Sequence, residues 1–157
     1  MFSLETHDGD ETSISYRIAG NGPPLLLLHG FPQTNMMWHK IAPALAERYT
    51  VVAADLRGYG DSGHPASDAA HAPYSKRAMA ADMAGLMRGL GFDSFMVAGH
   101  DRGGRVAHRL ARDHGDCVTR IAVLDIAPTA AMYGQTDMRF ATALSLIHIS
   151  EPTRRLN

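Results

Sequence analysis

Apolar and polar positions change their period several times along the chain, and each change marks an element. Residues 2–7 and 12–18 alternate β-forming and polar side chains on either side of Asp8-Gly9. That pattern predicts a hairpin in which Asp-Gly supplies a positive-φ turn. Residues 25–28 are all leucine and follow Gly22-Pro23-Pro24; so short an unbroken apolar run is a strand buried on both faces. Residues 35–48 place Met37, Trp38, Ile41, Ala42 and Leu45 at helical spacing, and Tyr49 continues the row. Residues 50–54 form a second buried strand that ends at Asp55, and a Gly/Pro-rich loop runs through 57–73. Ser75 then caps a helix whose Ala78, Met79, Asp82, Met83, Leu86, Met87 and Leu90 recur every three or four residues until Gly91 ends it. Residues 95–98 are a third strand, 103–114 another helix, and 119–124 a fourth strand ending at Asp125.

Short apolar strands alternating with helices predict a doubly wound, mostly parallel sheet of the α/β class. Functional groups in such sheets gather just beyond the carboxyl ends of the strands. The four strand ends are followed by His29-Gly30-Phe31-Pro32, Asp55-Leu56-Arg57-Gly58, Gly99-His100-Asp101-Arg102 and Asp125-Ile126-Ala127-Pro128. Polar residues, glycines and prolines concentrate there, which favours one composite site.

Composition narrows the class. A chain of 157 residues suffices for one domain with its own core and falls short of two. With 45% hydrophobic and 20% charged residues it has a globular profile. A net charge of −1 without a long run of one sign argues against a nucleic-acid or membrane partner. Cys117 is the single cysteine and the nine histidines show no ligand-like spacing. No metal or other cofactor is therefore expected, and a reducing, cytoplasmic compartment is. The polar start "MFSLETHDGD" is no signal peptide, and the leucine run is too short to span a bilayer.

Residues 99–104 read Gly-His-Asp-Arg-Gly-Gly, between a strand and a helix. This has the form of a nucleophile elbow, a strained turn whose glycines allow tight packing, with Asp101 where serine is usual. A hydroxyl must be activated by a base before it attacks an acyl carbon. A carboxylate, with a pKa of about 4, is an anion at neutral pH without help. It suits displacement of a leaving group from saturated carbon, giving an enzyme ester that water later cleaves. Alkyl halides and epoxides fit that chemistry; ester substrates do not. Arg102 and Arg105 share one face of the following helix's first turn. Cations there oppose the helix dipole, and a substrate carboxylate reconciles them through charge-assisted bonds.

The stretches "HGFPQTNMMWHKIAPALAERYTVVAADLRGYGDSG", "YSKRAMAADM", "GHDRGGRVAHRLA" and "LDIAPT" together resemble the haloacetate dehalogenases of the α/β-hydrolase superfamily over residues 2–143. The resemblance implies an α/β-hydrolase fold and hydrolysis of the carbon–halogen bond of a small anionic haloacetate. It implies that Asp101 is the nucleophile, that Arg102 and Arg105 hold the substrate carboxylate, and that the backbone N–H groups of Phe31 and Arg102 form an oxyanion hole. Asp125 matches the acid that orients a catalytic histidine, and the full-length protein is expected to be a homodimer. Arg57 and the methionines of 79–87 read as structural, and His100, His108 and His114 as structural or solvent-exposed. An epoxide hydrolase shares the Asp elbow and the "HGFP" loop but carries Trp where Arg102 stands. A non-catalytic truncated protein is a third reading.

After Asp125 the only histidine is His148, too soon for the base of such a triad. Residues 1–130 read as the N-terminal part of the hydrolase core and 131–143 as the start of a cap. The segment "LSLIHISEPTR" resembles the translation of a transposase adapter used in sequencing libraries, so 144–157 is expected to be a non-native tail. The chain is then an N-terminal half, truncated before the cap and the C-terminal strands, and an incomplete sheet with uncovered apolar surface is expected.

Overall fold

Burial sorts the strands. In the computed structural model, which describes residues 1–127, the leucine run and the segment after Tyr49 form the middle of a six-stranded sheet. These are β3 (Pro24–Leu28) and β4 (Thr50–Ala54), and every residue of β4 is buried. The hairpin β1 (Ser3–Asp8) and β2 (Ser13–Ala19) adds two antiparallel strands on one side. On the other side β5 (Phe95–His100) and β6 (Val118–Leu124) continue in parallel. The order is β1-β2-β4-β3-β5-β6, so the mostly parallel, doubly wound sheet read from the sequence is the one observed. The described elements belong to one unit, Met1–Ile126.

Helices cover both faces. On one, α2 (Lys76–Gly89) and α3 (Arg102–Asp113) lay Met79, Met83, Leu86, Met87, Val106 and Leu110 against Leu26, Leu28, Val52 and Val97. On the other, Trp38 and Ala42 pack with Leu27, Val51 and Ala53. The α2 boundaries follow the expected signals: the Ser75 hydroxyl accepts from the Ala78 N–H at 3.2 Å, and Gly91 turns the chain away at φ 82°.

Two local expectations need correction. Residues 35–48 are not one helix but a 3₁₀ turn, Asn35–Trp38, followed by the short α1, Ala42–Ala46. Pro43 has no N–H to donate to the preceding turn, so it starts a helix rather than continuing one. The hairpin does not turn through a left-handed Gly9. Gly9 is absent from the positive-φ residues, and its N–H donates to the Thr12 carbonyl at 3.2 Å across a longer loop. The expected cap approach at 131–143, the tail at 144–157 and His148 lie outside the described residues.

Candidate active site

The site forms where β3, β4, β5 and β6 end. β5 runs to His100 and α3 starts at Arg102, leaving Asp101 alone at the bend with φ 46° and ψ −114°. For a residue with a Cβ this conformation costs about 1–3 kcal/mol and persists only where the surroundings impose it. Here they do. The Asp101 N–H donates to the Leu124 carbonyl at 3.1 Å, and the Asp101 carbonyl accepts from the Arg105 N–H at 3.2 Å. A Cβ on Gly103 would stand 2.4 Å from the Leu28 carbonyl oxygen, so only glycine lets α3 approach β3 this closely.

The loop after β3 meets the elbow directly. The Phe31 N–H donates to Asp101 Oδ2 at 3.0 Å. A Cβ on Gly30 would lie 2.8 Å from Asp101 Cβ and 3.0 Å from its Oδ2. One carboxylate oxygen, Oδ2, is therefore held by a backbone donor, and this bond leaves Oδ1 unengaged. The Arg102 backbone N–H stands in the first turn of α3, where no helix carbonyl can receive it.

Arg102 folds back over this loop. Its guanidinium carbon lies 5.7 Å from the Phe31 ring centre and 5.9 Å from that of Tyr59, both within cation–π range. Arg105 lies three residues further along α3. Asp125 follows β6 at φ 51°; its side chain is 91% exposed and one carboxylate oxygen is 3.7 Å from His100 Nε2. The structure thus brings Asp101, Phe31 and Arg102 into contact, sets Arg105 on the same helical turn, and leaves Asp125 at the neighbouring strand end facing His100.

Three supporting residues are plain only in the structure. His29 is fully buried, and burial pushes its pKa down. Its Nε2 accepts from the Leu56 N–H at 3.0 Å, so the ring proton sits on Nδ1, 2.9 Å from the Gly30 carbonyl. A neutral imidazole thus pins the loop carrying Phe31 to the loop after β4. Asp55 accepts from the Asn35 N–H at 2.5 Å and the Asp61 N–H at 3.3 Å, fixing both ends of that region. Tyr59 packs edge-on against His29, with ring centres 5.1 Å apart. Position at strand ends was the only sequence signal for the first two; Tyr59 had none.

Arg57 is structural, as read from the sequence. It is buried, makes a bidentate pair with Asp82 at 2.6 and 2.5 Å, and also reaches Glu11 and the Pro73 carbonyl. Among the described residues no three His, Cys, Asp or Glu side chains gather as metal ligands, and no helix is long and apolar enough to cross a membrane.

A mostly parallel sheet with a strained, glycine-lined bend between β5 and α3 is the frame of an α/β-hydrolase fold. A family model described as alpha/beta hydrolase fold matches residues 23–146, and the chain belongs to that family. It is 54% identical to a fluoroacetate dehalogenase of Burkholderia sp. over 90% of this chain and 47% of that protein. It is 44% identical to a soluble epoxide hydrolase of Corynebacterium sp. (strain C12), over 85% of this chain and 45% of that one. Among solved structures, an alpha/beta hydrolase from Nostoc sp PCC 7120 superposes with a TM-score of 0.89 at 59% identity, covering 90% of this chain and 49% of that one. The chain spans about half the length of the curated relatives it matches.

Proposed function

We propose that this site belongs to a hydrolase that displaces halide from the α-carbon of a haloacetate through an ester on Asp101. The contact between the Phe31 N–H and Asp101 Oδ2 carries the reading. With Oδ2 held, Oδ1 attacks the CH₂ carbon as the carbon–halogen bond breaks, and halide leaves with the electron pair. Oδ2 becomes the ester carbonyl oxygen and stays in the backbone donor site. When water later adds to that carbonyl, the oxyanion develops where the Phe31 and Arg102 N–H groups can stabilise it. Arg102 and Arg105 would hold the substrate carboxylate, and their charges favour an anionic substrate over a neutral one. In the full-length protein Asp125 would orient the histidine that activates the water. The Burkholderia relative supports this reading.

Epoxide opening is the second reading, favoured by the Corynebacterium relative and by the same Asp elbow. Iodoacetate and a small neutral epoxide separate the two. Peptide mapping should find a carboxymethyl ester on Asp101 with iodoacetate, or ¹⁸O in its carboxylate if the ester turns over in labelled water. Labelling by the epoxide alone would move the assignment to epoxide hydrolysis. Labelling by neither would remove Asp101 as a nucleophile.

A further inference from the structure

A cavity of about 160 Å³ lies on the sheet face covered by the 3₁₀ turn and α1. Phe2, Met36 and Pro43 give it apolar walls, while Arg17, Asn35 and Trp38 bring polar atoms to it. Asp101, Phe31 and Arg102 form no part of it. Its volume is close to the roughly 150 Å³ in which an apolar cavity takes up one benzene ring.

The polar groups at this wall are donors in want of an acceptor. Trp38 is only 4% exposed, and its indole Nε1–H has no hydrogen-bond partner among the described residues. It packs with Leu27, Val51 and Ala53, none of which has a side-chain acceptor. A donor stripped of water and left unpaired is destabilising. Arg17 donates through Nε to Asn35 Oδ1 at 3.1 Å, and no carboxylate of the described residues pairs with its charge. Asn35 Oδ1 is thereby engaged, and His39 Nδ1, also at the wall, is taken up by the Met36 carbonyl at 2.8 Å.

We propose that this cavity binds a small aromatic monocarboxylate. Its ring fills the apolar space, and its carboxylate accepts from Trp38 Nε1–H and the Arg17 guanidinium through charge-assisted bonds. Water satisfies the two donors but leaves Phe2, Met36 and Pro43 wetted, whereas a ring removes them from water. A neutral aromatic leaves the Arg17 charge unmatched, and a cation meets it head-on. Met36 and His39 are exposed, so the cavity opens beside the 3₁₀ turn and admits a ligand without unfolding. Nothing in this site depends on Asp101, so it stands or falls apart from the elbow chemistry.

Trp38 is the chain's only tryptophan, so a single indole N–H signal in ¹⁵N NMR reports on this cavity. Benzoate is titrated into the 157-residue chain, with benzyl alcohol and acetate in parallel. Benzoate should shift the indole signal saturably, with a Kd of about 1 mM or tighter. Benzyl alcohol, which lacks the charge, and acetate, which lacks the ring, should each bind roughly tenfold more weakly or worse. Arg17→Met should weaken benzoate by a similar factor at the same signal. In Trp38→Phe, followed at the Asn35 amide, the loss should again be roughly tenfold. Should Trp38→Phe fail to fold, Arg17→Met decides. No indole shift with benzoate, equal affinity for benzyl alcohol, or unchanged affinity in Arg17→Met overturns the proposal. So do benzoate shifts confined to the amides of Phe31 and Arg102, which would put the ligand at the elbow.

Discussion

At Asp101 the backbone and the side chain pull in different directions. Its φ of 46° suits glycine, yet the proposed chemistry needs the carboxylate there. Asp101→Ala and Asp101→Gly both delete the carboxylate and its bond to Phe31, so their difference isolates backbone strain. The Gly variant should be the more stable by about 1 kcal/mol or more in urea unfolding. Both should lose ester formation by at least ~10³-fold. Equal stability of the two would mean the bend is unstrained. Gly30 is the complementary case, because an added methyl would press on the Asp101 side chain. Gly30→Ala should fold and lose ~10²-fold or more in Asp101 labelling by displacing the carboxylate from the Phe31 N–H. For Lys76 the sign of the pH effect follows from its pKa, which burial lowers. Folded Lys76 deprotonates near pH 8, and an unfolded lysine at about 10.4. Between those values the unfolded chain holds more protons, so stability should rise with pH relative to Lys76→Met.

Elements whose pattern depends on their own sequence were legible, and those set by remote partners were not. The buried strands and α2 follow from periodicity, the Ser75 cap and Gly91, because each signal lies within the element it shapes. The segment at 35–48 misled, since its apolar spacing continues through Pro43 while the hydrogen-bond ladder cannot. The turn at Gly9 misled for a related reason: a longer loop needs no left-handed residue. At the site, the elbow and its following arginines could be read locally. His29 owes its surroundings to other loops, and nothing adjacent to it announces this. Asp82 lies between these cases. Its place in the periodic row of α2 was legible, but its partner, Arg57, 25 residues earlier, was not. Arg57→Met should therefore cost about 3–5 kcal/mol, because it strands Asp82 inside. Adding Asp82→Leu should recover much of that loss in a double-mutant cycle of urea unfolding. Simple additivity would show that the two groups do not depend on each other.

At the scale of the whole chain, the sheet is covered unevenly. β4 is wholly buried, whereas β6 exposes Ile121, Val123 and Leu124 to 43%, 45% and 42%. Part of the exposed apolar surface thus runs along this edge, while Leu4, Phe31, Met36 and Ile41 are exposed elsewhere. That edge is also the side of the elbow, since the Asp101 N–H is held by the Leu124 carbonyl and Gly104 packs close to Val123. β6 is a parallel edge strand with an unpaired outer row of backbone groups among the described elements. Such an edge, apolar on both faces, is a template for pairing with another chain. The 157-residue polypeptide should therefore bind 1-anilinonaphthalene-8-sulfonate and self-associate in a concentration-dependent way. Ile121→Lys should reduce both by placing charge on the exposed edge. If the edge matters to the site only through Leu124, that variant should still form the Asp101 ester at the parent rate. Loss of ester formation together with restored solubility would instead mean that pairing across β6 holds the elbow in shape. Monodisperse, dye-free behaviour of the unmodified chain by light scattering and fluorescence would show that this apolar edge is not sticky in water.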